Sequence, residues 1–168
     1  RSVTLMAPSK TFNLAGLGCA FAIIQDKQLR TKFCRAQGSL VPHVDLLGYV
    51  AALAAYAHGD AWLGSVRRSL QRNRDVLVSY VREQIPEVIL AQPEGTYLGW
   101  LDFSAAALPT RPFDFLLNEA KVALNDGALF GASYAQCVRI NFACSEAILR
   151  EALARIRGAL ARRDPPLL

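Results

Sequence analysis

A long amphipathic stretch, closed by Pro86, divides the chain into two textures and limits how it can fold. Between residues 61 and 85, Trp62, Val66, Leu70, Val76, Leu77, Tyr80 and Val81 recur at helical spacing. That spacing predicts one long helix with a single apolar stripe. Arg67, Arg68, Arg72, Arg74 and Arg82 fill its other face, with Asp75 and Glu83 interspersed. Charges mixed in this way read as a solvated helix face rather than a nucleic-acid surface. His58-Gly59-Asp60 breaks the preceding element, and Asp60 is placed to cap the helix.

Before this helix, two short apolar runs at 3–6 and 21–24 read as strands. Leu29, Phe33 and Ala36 predict a short amphipathic helix over 29–36. Residues 44–57, rich in alanine and leucine with only Asp45 charged, predict a helix buried nearly all round. After Pro86 the pattern turns to α+β. Strands are expected at 88–91 and 96–103 around a Pro93-Glu94-Gly95 turn, then a helix over 113–120. A strand at 122–124, a turn at Asn125-Asp126-Gly127 and an alternating strand at 138–143 follow. Ser145 caps a last helix to about residue 162, with Glu146–Arg150 and Glu151–Arg155 as i,i+4 pairs, and Pro165-Pro166 closes a tail.

Of the 168 residues 52% are apolar, enough for a real core, and the net charge is +5 with a pI near 9.3. That excess is modest and dispersed, so it gives no reason to expect nucleic-acid binding. Cys19, Cys34, Cys137 and Cys144 form no C-x-x-C pair and lack a nearby histidine spacing, which argues against a metal site. Reduced thiols in a cytoplasmic protein are the simpler expectation. The longest apolar run, at 46–57, is short of the roughly 20 residues that a membrane span requires. Arg1 leads almost directly into a strand, so a piece of a larger protein is expected.

Two residues stand out chemically. Lys10 lies in Ala7-Pro8-Ser9-Lys10-Thr11-Phe12-Asn13, between the two strand-like runs. It reads either as a surface lysine in a turn or as an amine drawn inwards, kept neutral and able to attack a carbonyl. Arg139 sits midway along the apolar strand at 138–143. A guanidinium there demands an anion: a bound carboxylate in two-point contact, or an internal partner among Glu94, Asp102 and Glu119.

Three motifs in order carry a resemblance. Ala7-Pro-Ser-Lys10-Thr-Phe-Asn-Leu-Ala-Gly-Leu17, Pro93-Glu-Gly-Thr-Tyr-Leu-Gly-Trp-Leu-Asp102 and Val138-Arg139-Ile-Asn-Phe-Ala-Cys144 resemble the pyridoxal-phosphate enzymes of aminotransferase fold type I. The wording is most similar to the cystathionine β-lyase branch typified by MalY and PatB, and it runs to about residue 157. The resemblance implies an α/β fold, α+β in its smaller domain. It implies the C-terminal part of such an enzyme, with 1–62 ending the large cofactor domain and 63–168 forming a connecting helix and small domain. Lys10 would then carry pyridoxal 5'-phosphate as a Schiff base and act as the Cα base, while Arg139 would hold the substrate carboxylate. The implied substrate is an amino acid with a sulfur leaving group, and the implied assembly a homodimer. An aminotransferase on the same fold, or a catalytically silent fragment, are the alternatives. Two positions depart from the general aminotransferase pattern for the cofactor phosphate: Ala7 where a serine is common and Gly18 where an arginine is common.

Overall fold

The computed structural model describes residues 1–163. The expected Pro165-Pro166 tail lies outside the described residues. The chain forms two compact units, Arg1–Arg67 and Arg68–Leu168. The division falls within α3, which runs Asp60–Gln84 as one unbroken helix. Asp60 occupies its first turn and does not precede it as a cap.

In the first unit, β1 (Thr4–Met6) and β2 (Phe21–Ile23) pair antiparallel, with Leu5 opposite Ala22. Asp26 caps α1 (Lys27–Gln37) by accepting from the Leu29 amide, and Arg30 Nη1 donates to the Ile24 carbonyl at 2.8 Å. Asp45 caps α2 (Leu46–His58) by accepting from the Gly48 amide at 2.8 Å. A side chain at Gly48 would meet the Leu17 carbonyl at 2.7 Å, which shows how closely α2 approaches the 3-10 turn Ala15–Leu17. Burial of α2 departs from expectation. Only Gly48 and Ala52 are buried, whereas Leu46, Leu47 and Leu53 are 68–75% exposed. Two three-residue strands and a polar α1 offer too little apolar surface to cover a 13-residue helix on every side.

The second unit is an antiparallel sheet in the order β3-β4-β6-β5. Its strands are β3 (Ile89–Leu90), β4 (Leu98–Asp102), β5 (Asn125–Asp126) and β6 (Cys137–Asn141). Leu77 and Val81 of α3 join Leu101, Val138, Ile140 and Phe142 in one core with Leu149, Leu153 and Ile156 of α5 (Glu146–Arg162). Ser145 caps α5, and both expected glutamate–arginine pairs form on its surface.

Among the described residues, the one buried polar side chain, Asn73, has no signal in the sequence. Asn73, on the α3 face that packs inwards, donates from its amide to the carbonyls of Phe142 (2.9 Å) and Cys144 (2.8 Å). Both carbonyls lie just past β6, where no further ladder partner serves them. Asn73→Ala should therefore destabilise the unit by about 2 kcal/mol. Urea unfolding should show a lower midpoint with an unchanged slope.

Residues 112–126 also differ from expectation. Pro112 opens a short helix, α4 (Pro112–Phe115), which widens into a π-helical turn over Leu116–Ala120. Lys121 ends it in the left-handed conformation (φ 55°), and the Val122 amide bonds to the Leu116 carbonyl. That closure carries 122–124 away from the ladder. The strand is instead Asn125–Asp126, two residues that looked like a turn; they pair with Arg139 and Val138.

Candidate functional site

Lys10 is held by a compact turn. The Phe12 amide donates to the Pro8 carbonyl at 2.8 Å and the Leu14 amide to the Ser9 carbonyl at 3.0 Å, with Asn13 left-handed at φ 56°. Pro8 is fully buried beneath this turn. Phe12 ties it to α2 and to the first turn of α3: its ring meets Tyr56 edge-on at 5.5 Å and stacks near Trp62 at 6.4 Å. Gly59 makes room, since a side chain there would strike the Phe12 ring at 2.6 Å. A rigid backbone thus presents a lysine, but not in the way one of the two readings assumed. Lys10 is exposed, so the chain's own residues do not supply the desolvation invoked for an inward-drawn amine. Among the described residues, no ion pair ties up its amine.

Gly18 explains one departure from the aminotransferase pattern. Its backbone is left-handed (φ 60°), a conformation that an arginine would adopt only with strain.

Arg139 sits at the centre of a different cluster, in the second unit. In the sheet register it stands directly opposite Trp100 on β4 and Asn125 on β5, so all three side chains share one face. Arg139 Nη2 donates to Asn125 Oδ1 at 3.1 Å. Its guanidinium carbon lies 4.8 Å from the centre of the Phe130 ring. Phe130 in turn meets Trp100 edge-on at 5.4 Å, and Trp100 meets Tyr134 at 5.6 Å. The Nε of Arg139 is buried with no hydrogen-bond partner. Among the described residues, no salt bridge joins Arg139 to Glu94, Asp102 or Glu119, the internal partners considered for it. The cation is oriented by an amide and an aromatic face, and it keeps unspent donors. An incoming carboxylate suits such a group.

The loop between β5 and β6 sets this geometry. Asp126 accepts from the Ala128 amide at 3.0 Å and from Arg111 Nη1 at 3.1 Å, fixing the 3-10 turn Gly127–Phe130 that carries the ring. Gly127 is obligatory there. A side chain would lie 2.2 Å from the Tyr134 carbonyl and 2.4 Å from that of Cys137. Gly127→Ala should displace Phe130 and destabilise the unit by about 3 kcal/mol or more, read as a lower thermal midpoint.

Two of the four thiols, Cys137 and Cys144, are poorly suited as nucleophiles. Burial, reinforced by Asp102, pushes the Cys137 thiol up, and burial does the same at Cys144, so neither offers a thiolate at neutral pH. No group of histidine, cysteine or acidic side chains among the described residues could hold a metal ion. Asn125, Phe130, Trp100 and Tyr134 escaped the sequence reading. Asn125 was hidden by its turn-like neighbours, and the aromatics carry no spacing signal.

The sequence model of the family described as aminotransferase class I and II matches residues 3–156. Cystathionine beta-lyase PatB of Bacillus subtilis is 35% identical over 162 residues, covering 95% of this chain and 42% of its own length. Cystalysin from Treponema denticola, whose structure contains pyridoxal 5'-phosphate, superposes with a TM-score of 0.87 at 29% identity, over 95% of this chain and 41% of that one. The PLP-bound C-S lyase from Staphylococcus hominis gives 0.85 at 29%, over 95% and 42%. The chain therefore spans about two fifths of the length of these relatives. Across that span the expected fold type I architecture holds. The chain belongs to the aminotransferase class I and II family.

Proposed function

We propose that this chain is the lysine- and arginine-bearing portion of a pyridoxal-phosphate-dependent carbon–sulfur β-lyase acting on amino acids. Residues 1–62 would complete a large cofactor domain and 63–168 form the connecting helix and small domain. The observation that carries the reading is Arg139: a cation inside a sheet, aligned by Asn125 and Phe130, with a buried donor left unspent. An internal salt bridge would have spent that donor. Similarity to PatB and to the two lyase structures supplies the reaction class.

The residues present fit the cofactor. Its aldehyde needs a primary amine outside an ion pair, on a fixed backbone, and Lys10 in its turn meets both conditions. Lys10 Nζ would hold the cofactor covalently until the substrate amine takes its place. When bound, pyridoxal phosphate supplies an electron sink for the carbanion at Cα. Arg139 would grip the α-carboxylate through its planar fork, holding the substrate by a two-point contact. Lys10 Nζ, once displaced from the cofactor, would take the Cα proton. With a sulfur leaving group at Cβ, the sulfur would depart with the bonding electron pair, and the proton that Lys10 Nζ took from Cα would convert it to a thiol. Water completes the reaction to pyruvate and ammonia. The proposed assembly is a cytoplasmic homodimer.

The test is product analysis with the full-length protein and cystathionine. Equimolar pyruvate and thiol product are expected. A transaminated keto acid with sulfur retained would establish the second reading, an aminotransferase on the same fold.

A further inference from the structure

We propose that Asn125 is a positioning residue that sets the orientation of the Arg139 guanidinium for carboxylate capture; this rests on the reading of Arg139 given above. Three observations support it. First, register: Asn125 is the β5 residue directly opposite Arg139, so its amide is delivered to the guanidinium by the backbone ladder itself. Second, chemistry: Asn125 Oδ1 accepts from Nη2 at 3.1 Å but carries no charge, so it aligns the cation without neutralising it. Aspartate in the same place would form an internal ion pair and compete with the substrate. Third, anchoring: the next residue, Asp126, is tied both to the Ala128 amide and to Arg111, and Arg111 is tied to Asp114 at 2.9 Å. β5 is therefore pinned beside Asn125, and the same Asp126 cap fixes the turn whose Phe130 ring centre lies 4.8 Å from the guanidinium carbon. The amide and the ring hold the cation while its buried Nε keeps a donor without a partner.

The role is separable from structure because Asn125 is exposed and belongs to no core contact. Steady-state kinetics of the full-length protein with cystathionine should show that Asn125→Ala raises KM about tenfold, with kcat changed less than about twofold. Asn125→Asp, nearly isosteric, should raise KM at least as far. Binding of propionate, a carboxylate with no amine to react, should weaken by a similar factor in an NMR titration. The decisive comparison is a double-mutant cycle. In an Arg139→Leu background, Asn125→Ala should change kcat/KM less than about twofold, because the residue it orients is gone. An undiminished tenfold effect in that background would overturn the positioning role. An unchanged KM in Asn125→Ala, with Arg139→Leu still impaired, would overturn it as well while sparing the Arg139 reading. If Arg139→Leu itself leaves KM unchanged, both fall together.

Discussion

Lys10→Ala in the full-length protein should lower carbon–sulfur lyase turnover by about 10³-fold or more, with the fold intact. The two halves of that expectation have separate causes. Turnover falls because one amine is asked both to hold the cofactor and to move the Cα proton, and alanine can do neither. The fold survives because Lys10 is exposed, lies in a turn closed by backbone hydrogen bonds, and contributes no described side-chain bond. The thermal midpoint should correspond to a change within about 0.5 kcal/mol. Lys10→Arg, which keeps the charge, should be as inactive as alanine, since a guanidinium stays protonated and is a poor nucleophile. Recovery of activity in the arginine variant would show that charge, not amine chemistry, is what Lys10 supplies.

Arg139→Leu should separate binding from stability in the opposite sense to an ordinary core substitution. KM for an amino-acid substrate should rise about 10²-fold, corresponding to roughly 3 kcal/mol lost with a hydrogen-bonded ion pair. Stability should hold or increase. In the unliganded chain the guanidinium has one hydrogen bond to Asn125, a buried Nε without a partner and no carboxylate among the described residues. Replacing an incompletely satisfied cation by a shorter apolar side chain removes a desolvation penalty. Urea unfolding of the variant against the parent checks this directly. A loss of about 3–5 kcal/mol would instead identify a structural ion pair, the outcome expected when one partner of a buried pair is removed.

Much of this architecture was legible from periodicity. The long helix, the strand at β6 and the Ser145-capped α5 each follow from spacing and a cap that depend on neighbours within one or two turns. The failures share a cause, which is dependence on what lies across space. The apolar α2 reads as a helix buried all round, yet burial requires a cover, and two short strands do not provide it. Asn125-Asp126-Gly127 has the composition of a turn, but the helix closure at Lys121 delivers its first two residues to β6. The same misassignment concealed Asn125 as a partner of Arg139, because ladder register is not written in either strand alone. Lys10 and Arg139 stood out as residue types in improbable settings. The partners of Arg139 did not, since an asparagine and three aromatics are ordinary until the sheet aligns them.

The central claim is that this chain supplies the cofactor's anchor. It is tested most directly by reducing the full-length protein with borohydride in the presence of pyridoxal phosphate and mapping the peptides by mass spectrometry. The account predicts a single stoichiometric pyridoxyl adduct on Lys10. An adduct on Lys27, Lys32 or Lys121, or an unmodified Lys10 peptide in catalytically active protein, would contradict it.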